Sequence, residues 1–348
     1  MTRDKSIYIK NIYYMLAYAY QILRQQSYKK IEAERFDNIH DLFAAILAQS
    51  IAVQLKRGLN REYIAETEQV GTLHGRVDFT TSIKQQTMLN KTLICTYDSF
   101  SENFYMNRIL KTTALLLLFS PDVKDENKAS LRRILLFFSD IEELDPKSIN
   151  WSTLRYHKDN ATYQMLMNVC YLVIHGLLLS TESGERKLAT FLDDQHMSRL
   201  YEKFILEYYK KHYPQLNPAA RQIDWAVEGG TDFLPAMRTD TVLTNGDKAL
   251  IIDAKYYGKT MQTRYGVTTY HSYNVYQIMA YVQNKDVTNT GKIGGMLLYA
   301  KTDEVIVPNG QKIIKGNPYY FQTLDLYTTF ENIARQLNNI TKEYFLIE

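Results

Sequence analysis

The dipeptide Asn245-Gly246 sits between two apolar runs, in the stretch DTVLTNGDKALIIDAKYYGK from Asp240 to Lys259. Asn-Gly flanked in this way is the strongest short signal for a β-hairpin, because both residues accept the positive φ that a tight turn needs. The second run, ALII, is as apolar as a core strand, yet it ends in Asp253-Ala254-Lys255. A core strand avoids charge near its buried centre. The strand end is therefore either surfacing as an exposed ion pair or holding charges for chemistry.

Register decides what the charges can do. A two- or four-residue loop centred on Asn245-Gly246 sets Asp240 opposite Ile251. Side chains alternate faces, so Ile251, Asp253 and Lys255 share one face. Asp240 then joins that face as a diagonal neighbour of Asp253 at roughly 7–8 Å. A metal ion held about 2 Å from carboxylate oxygens spans that gap. Two carboxylates suit a hard ion such as Mg²⁺, which retains waters, acidifies a bound one and offsets charge on a phosphoryl oxygen. A lysine beside them can orient the water or stabilise the transition state. Asp240, Asp253 and Lys255 are thus candidate catalytic residues of a phosphodiester hydrolase, with Asp240 and Asp253 as metal ligands. Asp-x-Lys also arises by chance, and a salt-bridged strand end is its bland reading. In YQIMAY, Gln277 and Tyr281 lie four apart on one helical face and could reach the lysine or a nucleic-acid backbone.

The rest of the chain supplies context. Helical patterns run over 11–25, 39–55, 103–120, 128–139, 161–180, 196–212 and 274–283, with β structure between 63 and 96 and an apolar strand at 293–299. The second-half order of helix, strands, helix, strand is that of an α/β core. TESGERK, 181–187, is the best linker, which divides the chain into 1–185 and 186–348. Two scattered cysteines, Cys95 and Cys170, offer no disulfide framework or metal knuckle and fit a reducing cytoplasm. The N-terminus lacks a signal-peptide core, and 161–180, which contains Gln164, Asn168 and His175, falls short of a membrane span. A net charge of +3 neither requires nor excludes nucleic acid.

Asp240, IIDAK and Gln277-x-x-x-Tyr281 together resemble the PD-(D/E)xK nuclease superfamily, with Thr239-Asp240 in place of Pro-Asp. Further segments, NIYYMLAYAY, GRVDF, YDSFSENFYMNRILK, LYEKFILEYY and MRTDTVL, extend the resemblance in order over nearly the whole chain. They look like the McrC family, the nuclease subunits of McrBC modification-dependent restriction systems. The resemblance implies an α/β fold: a C-terminal PD-(D/E)xK core of mixed sheet flanked by helices, preceded by an α+β N-terminal domain. It implies Mg²⁺-dependent cleavage of double-stranded DNA carrying methylcytosine-type modification, and an N-terminal region that docks a McrB-like AAA+ GTPase ring and stimulates it. Asp240 and Asp253 would bind metal, Lys255 would assist the attacking water, and Gln277 and Tyr281 would support them. Glu202, in LYEKF, sits where related nucleases sometimes place another acidic ligand, although a surface helix glutamate fits the position as well. No GxxxxGK[ST] occurs, so GTP would be bound by the partner and not by this chain. The competing expectations are a GTPase-activating adaptor with a degenerate nuclease centre and a stand-alone RecB-like nuclease.

Overall fold

A computed structural model describes residues 5–20, 31, 34, 36, 38–156, 161–182, 195–256, 260–264, 267–301 and 307–347. It divides into two compact units: residues 1–42 with 175–348, and residues 43–174. The first 42 residues therefore fall with the C-terminal unit, whereas the sequence alone suggested a cut at 185/186. That cut, with most of the 181–187 linker, lies outside the described residues.

The physical reason is the apolar girth of the first helix. Helix α1, Lys5–Tyr20, carries Ile9, Ile12, Tyr13, Met15 and Leu16 with almost no exposure, so it must be surrounded. Asn11 Nδ2 donates to the carbonyls of Leu326 and Thr328 at 2.7 and 2.8 Å, and the Tyr18 hydroxyl bonds His212 Nε2 at 2.8 Å. These contacts fasten α1 to segments more than 190 residues away.

Helix α2, Ile39–Leu55, runs into the unit of residues 43–174 and leads to strand β1, Glu62–Val70. Strand β2 is Arg76–Val77, helix α3 is Phe79–Lys84, and strand β3 is Leu93–Ser101; β3 lies between β1 and β2 in an antiparallel sheet. Helices α4, Tyr105–Phe119, and α5, Asp125–Leu135, follow, and then α6, Ala161–Glu182, which begins in this unit and ends beyond its boundary at residue 174. Asn107 organises this unit from a fully buried position. Its amide donates to the carbonyls of Asn60 and Glu102 and accepts from the Tyr163 hydroxyl at 2.7 Å, which satisfies every group it buries. Arg108 pairs with Glu142 at 2.9 Å and Lys111 donates to the Ile141 carbonyl, so both bases hold this unit's own loop.

The other unit is built on a five-stranded mixed sheet. Helix α7, Gln195–His212, precedes strands β4, Gln222–Ile223, β5, Met237–Arg238, β6, Thr241–Asn245, and β7, Lys248–Lys255. A separate hairpin, β8, Met261–Arg264, and β9, Val267–Tyr270, leads to helix α8, Ser272–Lys285. Strands β10, Ile293–Ala300, β11, Gly310–Ile314, and β12, Asn317–Leu324, then precede helix α9, Phe330–Phe345. The sheet order is β11-β12-β10-β7-β6, with β12, β10 and β7 mutually parallel and both edges antiparallel. All eight residues of β10 are buried, as a central parallel strand covered on both faces requires.

Two adjacent glycines permit that double cover. A Cβ on Gly295 would come within 2.8 Å of Ile278 and Val282 of α8, and one on Gly294 within 2.6 Å of Tyr344 of α9. Successive residues face opposite ways, so each glycine admits one helix to one face. Helix α7 shares the α9 side, with Tyr208 bonded to Asn338 and Tyr209 to the Leu337 carbonyl. Everything after Tyr299, including the hairpin β11–β12 and α9, received no sequence-based assignment. The signal was present in Ile333, Leu337, Ile340 and Tyr344, which recur at helical spacing and are all buried.

Candidate active site at the end of strand β7

The β6–β7 hairpin forms, with its register two residues away from the expected one. Asn245 pairs with Lys248, so the loop is Gly246-Asp247, not Asn245-Gly246. Gly246 takes φ +61°, as the first central residue of a type II′ turn demands. Thr241 consequently faces Ile252, and extending the ladder by one residue sets Asp240 directly across from Asp253. The expected diagonal becomes a direct opposition. A displacement of two residues preserves the face, so Asp240 and Asp253 still meet on one side.

Beyond the last ladder pair, Asp240 Oδ2 accepts the Ala254 N–H at 2.8 Å. Asp253 is 1% exposed, and its Oδ2 stands 2.7 Å from Lys255 Nζ. That ion pair compensates a carboxylate that would otherwise be prohibitively desolvated. The contact is an ion pair without hydrogen-bond directionality, because Oδ2 has no well-angled donor. Lys255 Nζ donates onward to Gln277 Oε1 at 3.2 Å, Gln277 Nε2 to the Tyr281 hydroxyl at 2.8 Å, and that hydroxyl to the Arg238 carbonyl at 2.9 Å. The chain of bonds begins at Asp253 and ends two residues before Asp240. It therefore fixes the lysine and the entry to the first aspartate with respect to each other.

Thr239 explains the absence of proline from this position. It is buried, its N–H donates to the Arg221 carbonyl at 3.0 Å, its hydroxyl donates to the same carbonyl at 2.9 Å, and that hydroxyl accepts the Arg221 N–H at 3.1 Å. Proline has no N–H and could not make the first bond. The sequence marked Thr239 only as standing where proline was expected, and it did not mark Arg238 or Arg221, the groups that Tyr281 and Thr239 bond. Only the long-range pairing reveals those partners.

The electrostatics follow from crowding acids in a dry place. Burial, and then the charges of Asp253 and Glu202, push Asp240 up to about 8. Burial also raises Asp253, against the pull of Lys255. Glu202, half-buried on α7, is raised by burial, with Lys255 opposing and Asp253 reinforcing. Asp240, Asp253, Glu202 and Lys255 thus form one interacting group, with Gln277 and Tyr281 bracing the lysine. All six residues singled out in the sequence gather here.

The donors fit a divalent cation in one respect. Two opposed, buried carboxylates that repel each other, one oxygen lacking a directed donor, are relieved by positive charge between them. Among the described residues no group of three or more His, Cys, Asp and Glu side chains is gathered to hold a metal. Two carboxylates without a closed cage suit an ion that keeps water or substrate oxygens among its ligands, as Mg²⁺ does.

The fold and this cluster define a mixed α/β protein whose central sheet carries an Asp–Asp–Lys group at a strand end. The chain belongs to the family described as McrBC 5-methylcytosine restriction system component, whose model matches residues 2–300. It is 27% identical over 345 residues to the type IV methyl-directed restriction enzyme EcoKMcrBC of Escherichia coli (strain K12), covering 97% of each chain. Among solved structures it resembles a chain of the Thermococcus gammatolerans assembly of McrB AAA+ hexamers with bound McrC. That likeness has 16% identity and a TM-score of 0.48, over 95% of this chain and 76% of the other. The Thermococcus gammatolerans McrBC complex gives 15% identity and a TM-score of 0.39, over 60% and 70%. No helix among the described residues is long and apolar enough to cross a membrane.

Proposed function

We propose that this chain is the DNA-cleaving subunit of a GTP-dependent McrBC-type restriction complex, with a PD-(D/E)xK centre at Asp240, Asp253 and Lys255. The observation that carries the reading is the direct opposition of Asp240 and Asp253 with Lys255 ion-paired beside them. Asp240 and Asp253 would hold Mg²⁺, which when bound polarises the phosphodiester and offsets its charge. Lys255 keeps a cation where negative charge develops on the phosphate, and Gln277 and Tyr281 prevent it from swinging away. Glu202 adds a third carboxylate beside them, whose pKa burial raises above the ordinary value. The unit of residues 43–174 would dock a McrB-like AAA+ GTPase, and the partner would bind GTP and recognise the modified base. Membership in the McrBC family supports both assignments.

The test is cleavage of methylated duplex DNA with Mg²⁺ and GTP, with and without the partner, comparing wild type with Asp253→Ala. Wild type should cut only with the partner, and the variant should not cut while still stimulating GTP hydrolysis. Cleavage by the variant would remove the metal-site assignment. Efficient cleavage by wild type alone would favour a stand-alone nuclease, and absence of cleavage with intact GTPase stimulation would favour an adaptor.

A further inference from the structure

Helix α8 carries two kinds of tyrosine. Tyr281 is buried, with its hydroxyl committed to Gln277 and the Arg238 carbonyl. Tyr273 and Tyr276 are 75% and 69% exposed. The inward face of α8 is Asn274, Ile278, Tyr281 and Val282, all buried. Tyr273 lies four residues before Gln277 and therefore on the same stripe, about 6 Å along the axis from the side chain that touches Lys255. Tyr276 sits beside that stripe on the outer side. The helix contains no aspartate or glutamate, so its exposed face presents no negative charge to a phosphate. An exposed phenol supplies a hydroxyl that can donate to a phosphate oxygen and a ring that can lie against a sugar.

We infer that Tyr273 and Tyr276 form a sequence-independent contact for the backbone of the DNA duplex, seating the strand against the Asp240–Asp253–Lys255 edge. The inference rests on the nuclease reading for the identity of the occupant. Its physical grounds are the continuity of Tyr273 with the stripe that contacts Lys255 and the absence of acidic side chains along α8. These residues position the substrate and take no part in the chemical step.

The test uses the full chain with its partner, and 5-methylcytosine duplex oligonucleotides with unmethylated duplexes of the same sequence. Cleavage kinetics are read alongside fluorescence-anisotropy binding in Ca²⁺. Tyr273→Ala/Tyr276→Ala should raise KM about tenfold with kcat retained, the factor expected for two lost hydrogen bonds. Affinity for both duplexes should fall in parallel. Tyr273→Glu/Tyr276→Glu should weaken binding further, through repulsion that added salt relieves. Unchanged affinity in the glutamate variant, a fall in kcat at constant KM, or loss confined to methylated DNA would overturn the inference. If wild type proves unable to cleave, the nuclease reading fails while the binding arm still reports on the tyrosines.

Discussion

Replacing Asp240 by Asn should stabilise the metal-free protein while abolishing cleavage, and the gain should grow with pH. Asp240 has an ordinary value of 3.8, and burial beside Asp253 and Glu202 brings it to about 8. Below about pH 4 the folded and unfolded chains both carry the proton, and the aspartate costs nothing. Between about pH 4 and pH 8 the unfolded chain ionises this group while the folded chain keeps it neutral. Folding then takes up a proton, and stability falls as pH rises by about 1.4 kcal/mol per pH unit at most. Above about pH 8 both states are ionised and the loss levels off. Asn keeps an oxygen to accept the Ala254 N–H, removes the titration, and so escapes the slope. Taken over about two pH units, from 4 to 6, the difference is about 3 kcal/mol. Denaturant unfolding in EDTA at pH values from about 5 to 8 measures it. The stability of the variant minus that of wild type should widen with pH. Mg²⁺ should then stabilise wild type and leave the variant unmoved, by linkage to a ligand bound only in the folded state. Parallel stability curves across that range would mean that Asp240 ionises normally, and would refute a desolvated, coupled pair of carboxylates.

Tyr281→Phe removes the hydroxyl that accepts from Gln277 and donates to the Arg238 carbonyl, so it should cost about 1–3 kcal/mol of stability. It should also lower kcat more than it raises KM, whereas a purely structural role would leave kcat per folded molecule unchanged. Thr239→Pro should destabilise by about 1–3 kcal/mol, because the N–H to Arg221 is lost; a thermal midpoint at or above wild type would count against the account of Thr239. Gly295→Ala should cost about 1–3 kcal/mol by pushing α8 off the sheet, where its new Cβ meets Ile278 and Val282 at 2.8 Å. Hydrogen exchange in α8 should rise in that variant, and unaltered protection there would contradict the close approach.

The sequence by itself determined the local parts of this protein. Helix α2 was legible to its ends, because its apolar period ran unbroken from Ile39 to Leu55. The hairpin was legible from turn chemistry, and with it the shared face of Asp240, Asp253 and Lys255. Alternation has a period of two, so a two-residue error in register leaves the face unchanged. The choice between Asn245-Gly246 and Gly246-Asp247 as the turn was not legible, since both pairs satisfy it. The assembled sheet takes the second, with Asn245 opposite Lys248 and Val242 opposite Ile251. Only tertiary structure decided the rest. It joined α1 to the C-terminal unit, set Gln277 against Lys255 across 22 residues, tied Tyr281 to Arg238 across 43, and let Thr239 take over a place expected for proline. Each of these depends on groups distant in sequence finding one another in a low-dielectric interior. A local pattern specifies which face a side chain occupies, and the assembled core specifies which partner it meets there.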